Sequence, residues 1–186
     1  MKNIFAYQDL ILPHYVHGDM TVVDATLGNG HDALKLYQCL GVGGQLYGFD
    51  IQAEALKASQ ERLSKVPHLA TYQFFQANHG DISHYLPANT ELAFAIFNLG
   101  YLPGGDKTLI TKPQTTLQAL DWLLDHLKAQ GLIMISSYTG HPGGLDEYEA
   151  LKNYLKQLPQ NKYQVSEVSF INQSHHPPHL FTIERR

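Results

Sequence analysis

DATLGNGHD, residues 24–32, is the stretch on which the fold turns. It follows the β-branched run Thr21–Ala25 and opens an apolar helical stretch from about Asp32 to Leu40, so it reads as a glycine turn between a strand and a helix. Gly28 and Gly30 let the backbone turn tightly and approach a ligand with no Cβ in the way. The helix behind them aims free N–H groups at that ligand, which suits a carboxylate as well as a phosphate. Asp24, Thr26, Gly28 and Gly30 are the candidate cofactor residues of this turn. GNGHDA also satisfies G-x-G-x-x-A, so a dinucleotide is a live reading of the turn taken alone. Asp24 favours another. A dinucleotide-binding strand is usually apolar to its end, whereas a carboxylate four residues before Gly28 suits a cofactor carrying a sulfonium and an ammonium. The competing account makes Asp24 a turn residue and the glycines punctuation. Against it, a second acidic residue, Asp50, ends the next strand, QLYGFD (Gln45–Asp50), where a carboxylate accepts hydrogen bonds from two ribose hydroxyls.

Outward from the turn, strand and helix alternate, which argues a mostly parallel, twisted sheet with helices on both faces. A helix over Ile4–Tyr15 leads. Ala53–Leu63 is a helix, Thr71–Gln76 a third strand, and Leu92–Asn98 a fourth that is apolar throughout, as a central strand should be. A helix over Gln114–Lys128, a strand over Gly131–Ser137 and a helix over Leu145–Leu158 follow. Tyr163–Phe170 and Leu180–Glu184 have no room for a crossover helix between them, so they pair as an antiparallel hairpin. No linker or repeat divides the chain, and one domain over 1–186 is expected. An α/β sheet with a terminal hairpin is the order of a Rossmann-like class I methyltransferase, and S-adenosylmethionine is the expected cofactor.

The end of the fourth strand carries the chemistry. Asn98-Leu-Gly-Tyr101 has the N-x-x-Y spacing of the N-P-P-Y found in methyltransferases that modify exocyclic amines. Methyl transfer is an in-line displacement, so the nitrogen lone pair must point at the methyl carbon. An Asn oxygen and a backbone carbonyl fix that direction by accepting the amine's N–H groups, and an aromatic ring stacks on the base. Acceptors without a carboxylate also disfavour the ammonium form. The bland alternative makes Asn98 a strand-end cap and Tyr101 core. Asn78 and His79, after the third strand, fall where the adenine edge of such a cofactor sits, although a turn-forming Asn and a surface His explain them nearly as well. Lys107, His141 in GHPGG, and the His175-His176-Pro177 loop follow strands and are candidate substrate contacts. No H-E-x-x-H or Cys/His spacing is present, and no metal is expected.

The charge balance, −4 with eleven histidines counted neutral, gives no cationic stripe for nucleic acid, though a local patch can hide in a negative total. With one cysteine, Cys39, no intrachain disulfide can form, and a reducing cytoplasm is the simplest home. No apolar run is long enough for a membrane span, and the N-terminus lacks a signal-peptide cleavage site.

DATLGNGHD, GFDIQ, FNLGYLPGGDK, GHPGG and PPHLFTIE together resemble the small bacterial methyltransferases once labelled rRNA methylases, of the YtqB/MnmM type. The resemblance runs from about Val22 to the C-terminus, and FNLGYLPGGDK is its most specific block. It implies N-methylation of the 5-aminomethyl group of a (2-thio)uridine at the tRNA wobble position, with the anticodon loop of tRNA as partner. It further implies cofactor contacts from Asn29, His31, Asp32, Asp50, Gln52, Asn78 and His79. The segment Asn98–Lys107, with Leu99, Gly100, Pro103 and Gly104, would border the target amine. Three rivals stay open: an adenine amino group of rRNA or DNA as acceptor, an NAD-linked oxidoreductase, and a catalytically idle RNA-binding module. A homodimer is compatible with the sequence, which does not fix the oligomeric state.

Overall fold

The computed structural model describes residues 3–67, 70–102, 104, 109–174 and 176–186. Seven strands form one sheet in the order β3-β2-β1-β4-β5-β7-β6. In chain order they are β1 (Thr21–Asp24), β2 (Gln45–Asp50), β3 (Thr71–Gln76), β4 (Leu92–Leu99), β5 (Leu127–Ser137), β6 (Tyr163–Val168) and β7 (His179–Arg185). The first five are parallel to their neighbours, while β7 runs antiparallel to both β5 and β6. The helices are α1 (Ile4–Tyr15), α2 (His31–Cys39), α3 (Ala53–Leu63), α4 (Pro113–His126) and α5 (Gly144–Leu155), with a 3-10 helix at His79–His84.

Side chains on successive strand residues point to opposite faces, and β4 shows what that does when both faces are covered. Phe94 and Ile96 join Val22, Leu46 and Met134 beneath α1, α2 and α3. Ala95 and Phe97 join Val23, Phe49 and Ile135 beneath α4, α5 and the 3-10 helix. The sheet therefore has a full apolar layer on each side, and β4 is buried almost throughout.

α1 is tied to the sheet by polar as well as apolar groups. Asn3 caps it by accepting the Ala6 N–H at 3.1 Å, and Gln8 donates to Ser136 Oγ at 2.8 Å in a buried position. That docking carries Phe5 to the ligand end of the sheet, where it lines the cavity described below. The expected boundary between α4 and β5 needs correction. The helix ends at His126 instead of Lys128, and β5 begins at Leu127 instead of Gly131. The early start is possible because Gln130 adopts φ +62 and the β4–β5 register shifts between Leu92 and Phe94, absorbing the irregularity.

Candidate cofactor and acceptor site

β1 and β4 are sheet neighbours, yet the helices that follow them, α2 and α4, pack on opposite faces. A crevice opens at such a switch point, outside the carboxyl ends of the strands. Here it is a cavity of about 820 Å³. Of the residues singled out in the sequence, Thr26, Gly28, Asn29, His31, Asp32, Asp50, Gln52, Asn78, His79, Asn98, Leu99, Gly100, Tyr101, His141 and His176 line it.

The glycine turn is braced from two sides. Gly28, at φ +51, donates its N–H to Asp50 Oδ2 at 2.9 Å, and Gln52 donates its N–H to Asp50 Oδ1 at 3.0 Å. The carboxylate is thus clamped between the turn and the start of α3. Burial pushes its pKa up, against the pull of those N–H groups. From α3, Arg62 donates its Nε hydrogen to the Asn29 carbonyl at 2.9 Å, and its Nη2 lies 3.3 Å from His31 Nε2.

Asp24 and Gly30 stand outside the cavity wall. Asp24 is completely buried beneath the turn. Its Oδ1 accepts the Thr26 N–H at 3.1 Å, and its Oδ2 has no hydrogen-bond partner. Burial pushes its pKa up to about 8, and the neighbouring Asp32 and Asp50 add to this, while the Thr26 N–H opposes it. Gly30, at φ +73, is where α2 meets α3: a Cβ there would lie 2.7 Å from the Ser59 Cα.

Asn98 is held in a single orientation. Its backbone N–H donates to Thr26 Oγ1 at 2.7 Å, and its Nδ2 donates to Asp32 Oδ2 at 2.7 Å. Asp32 also meets Lys35 at 3.2 Å, and Lys35 in turn meets Asp9 of α1 at 2.7 Å. A carboxylate only accepts, so the amide nitrogen must face Asp32 and the oxygen must face the other way. That Oδ1 is buried and, among the described residues, has no donor.

Past Asn98, Gly100 and Thr111 close a neck. Gly100 donates its N–H to Thr111 Oγ1 at 2.9 Å, and Thr111 donates its own N–H to the Gly100 carbonyl at 2.9 Å. The Thr111 hydroxyl donates to Glu147 Oε2 at 2.6 Å, and that of Thr116 donates to Glu147 Oε1 at 2.8 Å. Glu147 is buried, which raises its pKa against the pull of the two hydroxyls and of His141. On the far side, Asn78 spends its oxygen capping the 3-10 helix, accepting the Gly80 N–H at 2.8 Å. His79 is buried edge-on to Phe97, and burial lowers its pKa to about 4.

Two more of the candidates lie off the wall. Gly104 does not line it, and among the described residues nothing lies within 4 Å of where its Cβ would sit. Pro177 is also off the wall, although His176 beside it, at φ +53, is part of it. Pro103, Lys107 and His175 lie outside the described residues. Several residues that shape the site carried no local sign in the sequence: Phe5, Arg62, Thr111, Tyr138 and Glu147. Each acts from an element far away in the chain. Only the resemblance included Asp32, and nothing indicated its bond to Asn98.

The strand order and a crevice lined by a clamped strand-end carboxylate define a class I methyltransferase that uses S-adenosylmethionine. The comparisons agree. The family described as "Putative rRNA methylase" matches residues 46–184, and the chain belongs to it. A Clostridium thermocellum protein of the same description shares 34% identity at a TM-score of 0.95, with 100% of this chain and 99% of that one covered. A "putative methyltransferase" of Streptococcus mutans, crystallised with S-adenosylhomocysteine, shares 32% identity at a TM-score of 0.90, over 100% of this chain and 99% of that one. The chloroplastic tRNA (mnm(5)s(2)U34)-methyltransferase of Arabidopsis thaliana is 34% identical over 173 residues, 89% of this chain. The chain spans 63% of that relative's length.

Proposed function

We propose that this chain transfers a methyl group from S-adenosylmethionine to the nitrogen of 5-aminomethyl-(2-thio)uridine at the wobble position of tRNA. The observation that carries the reading is the Asn98 amide: Asp32 occupies its nitrogen, and its buried oxygen is left without a donor. A buried acceptor without a donor costs about 1–3 kcal/mol, which an arriving N–H recovers. An amine has the hydrogen to give and a lone pair to direct. A ring nitrogen whose lone pair is free to attack, or a carbon acceptor, has no N–H left for Asn98 to hold.

When bound, S-adenosylmethionine supplies a methyl group made electrophilic by its sulfonium. Asp50 is positioned to accept the ribose hydroxyls on the lone pairs that Gly28 and Gln52 leave free. The turn from Thr26 to Asp32 would hold the methionine end, and Asn78 and His79 would border the adenine. Leu99, Gly100, Tyr101, His141 and His176 would border the uridine, with the part-exposed Tyr101 ring offering a stacking partner for an anticodon-loop base. The name of the Arabidopsis relative supports the same substrate. Among the described residues, no helix is long and apolar enough to cross a membrane, and a cytoplasmic place fits the single cysteine.

The test uses tRNA carrying 5-aminomethyluridine, incubated with the protein and S-adenosylmethionine, then digested to nucleosides. A methyl gain on the aminomethyl nucleoside is the expected result. Methylation of adenine, with that nucleoside unchanged, would instead support the rRNA or DNA reading.

A further inference from the structure

We propose that His141 takes up the proton that the target ammonium must lose before its nitrogen can be methylated, an inference that rests on the amine reading above. The geometry fixes the tautomer. His141 Nδ1 lies 3.0 Å from the Pro142 carbonyl oxygen, which can only accept, so Nδ1 carries the hydrogen and Nε2 presents a lone pair. Nε2 is buried and, among the described residues, has no hydrogen-bond partner.

The ring belongs to the acceptor end of the cavity, whose wall it shares with Asn98, Gly100 and Tyr101. Tyr101 meets it edge-on, with centroids 5.9 Å apart and the planes at 83°. Two glycines make room for it. A Cβ on Gly100, two residues past Asn98, would lie 3.4 Å from Nε2, and one on Gly144 would lie 2.9 Å from it. The glycines of the NLGY and GHPGG motifs thus face the same nitrogen, one from the loop after β4 and one from the first residue of α5.

Three of the other titratable groups on the wall are engaged elsewhere. Asp32 holds Lys35 and the Asn98 amide, Asp50 holds two backbone N–H groups, and His31 lies beside the Arg62 guanidinium. Glu147 is engaged with two hydroxyls, but it interacts electrostatically with His141 and serves as the fixed counter-charge for an imidazolium. Among the described residues, Tyr101 from the loop after β4 meets the ring and Glu147 from α5 interacts with it electrostatically, while Tyr138 from the loop after β5, Asp32 and His176 line the same cavity.

The step balances. The ammonium N–H proton passes to Nε2, giving an imidazolium. The freed lone pair forms the nitrogen–carbon bond as the sulfur–methyl bond breaks, and its electrons stay on sulfur. The products are a secondary ammonium and neutral S-adenosylhomocysteine, and the imidazolium proton leaves to water.

Single-turnover methyl transfer to 5-aminomethyluridine tRNA, followed from about pH 6 to about pH 9.5 in the wild type, H141N and H141Q, tests this. S-adenosylhomocysteine affinity is measured in parallel, and the variant that keeps the parental affinity is the one compared. The expected result is a deficit of about 100-fold or more near neutral pH that closes as alkali deprotonates the amine without help. A deficit of constant size across the range would mark a structural role and overturn the proposal, as would no deficit. A wild type that binds S-adenosylhomocysteine yet leaves the aminomethyl nucleoside unmodified would overturn the amine reading itself, and this inference with it.

Discussion

Asp50 and Asn98 each gain direction from what already occupies their other atoms. Asp50 is clamped by the N–H groups of Gly28 and Gln52, so its free lone pairs point at fixed places in the crevice. D50A is expected to weaken S-adenosylhomocysteine binding by about 1.5–3 kcal/mol, roughly ten- to a hundredfold, the worth of a hydrogen bond to a charged acceptor. Titration calorimetry reads this directly. N98A is expected to lower turnover while cofactor affinity stays close to the wild-type value, because the proposed role of its side chain is to hold the acceptor and not the ribose. Loss of affinity with turnover per bound cofactor unchanged would contradict that assignment. N-x-x-Y and the two strand-end carboxylates were legible in the sequence because their spacing is local. The Asp32–Asn98 bond, which decides which way the amide points, spans 66 residues and left no local trace.

At the scale of elements, the glycine turn works because α2 and α3 pack closely behind it. Gly30 sits at φ +73 and touches Ser59, so G30A meets a strained backbone and a clash with main-chain atoms at once. It is expected to lower unfolding free energy by about 1–3 kcal/mol in urea titrations, and shortening Ser59 should not restore it, since the nearest atom is the Ser59 Cα. The helix α1, the strands β2 and β3 and the helix α3 fall where periodicity puts them, because each is bounded by a cap, a turn or a glycine break nearby. The α4–β5 junction does not. Leu127 continues the apolar pattern of the helix as readily as it begins a strand, and pairing with Leu92 of β4 decides the matter.

For the whole molecule, two buried groups set opposing pH dependences. Folding raises the Asp24 pKa from 3.8 to about 8, so its stabilising contribution is complete below about pH 4 and is lost as pH climbs to about 8. Folding lowers the His79 pKa from 6.5 to about 4, so its contribution is present above about pH 6.5 and is lost as pH falls to about 4. Each slope is about 1.4 kcal/mol per pH unit. Between about pH 4 and 6.5 they offset one another, with the buried Asp50 and Glu147 carboxyls adding to the Asp24 side, and above that His79 no longer changes. D24N is therefore expected to flatten the fall in stability between about pH 6.5 and 8 and to shift the slope between about pH 4 and 6.5 upward, whatever its absolute stability. Denaturant unfolding across that range checks it; a D24N curve parallel to the wild type would refute the assignment. The sequence by itself determined the alternation of strand and helix, the glycine turn and the acidic strand tips, since these follow from periodicity and backbone conformation over a few residues. Only the tertiary structure decided that Asp24 lies beneath the crevice and not on its wall, that Asp32 orients Asn98, and that His141 packs beside Gly100. Burial and hydrogen-bond pairing depend on which distant elements are packed together.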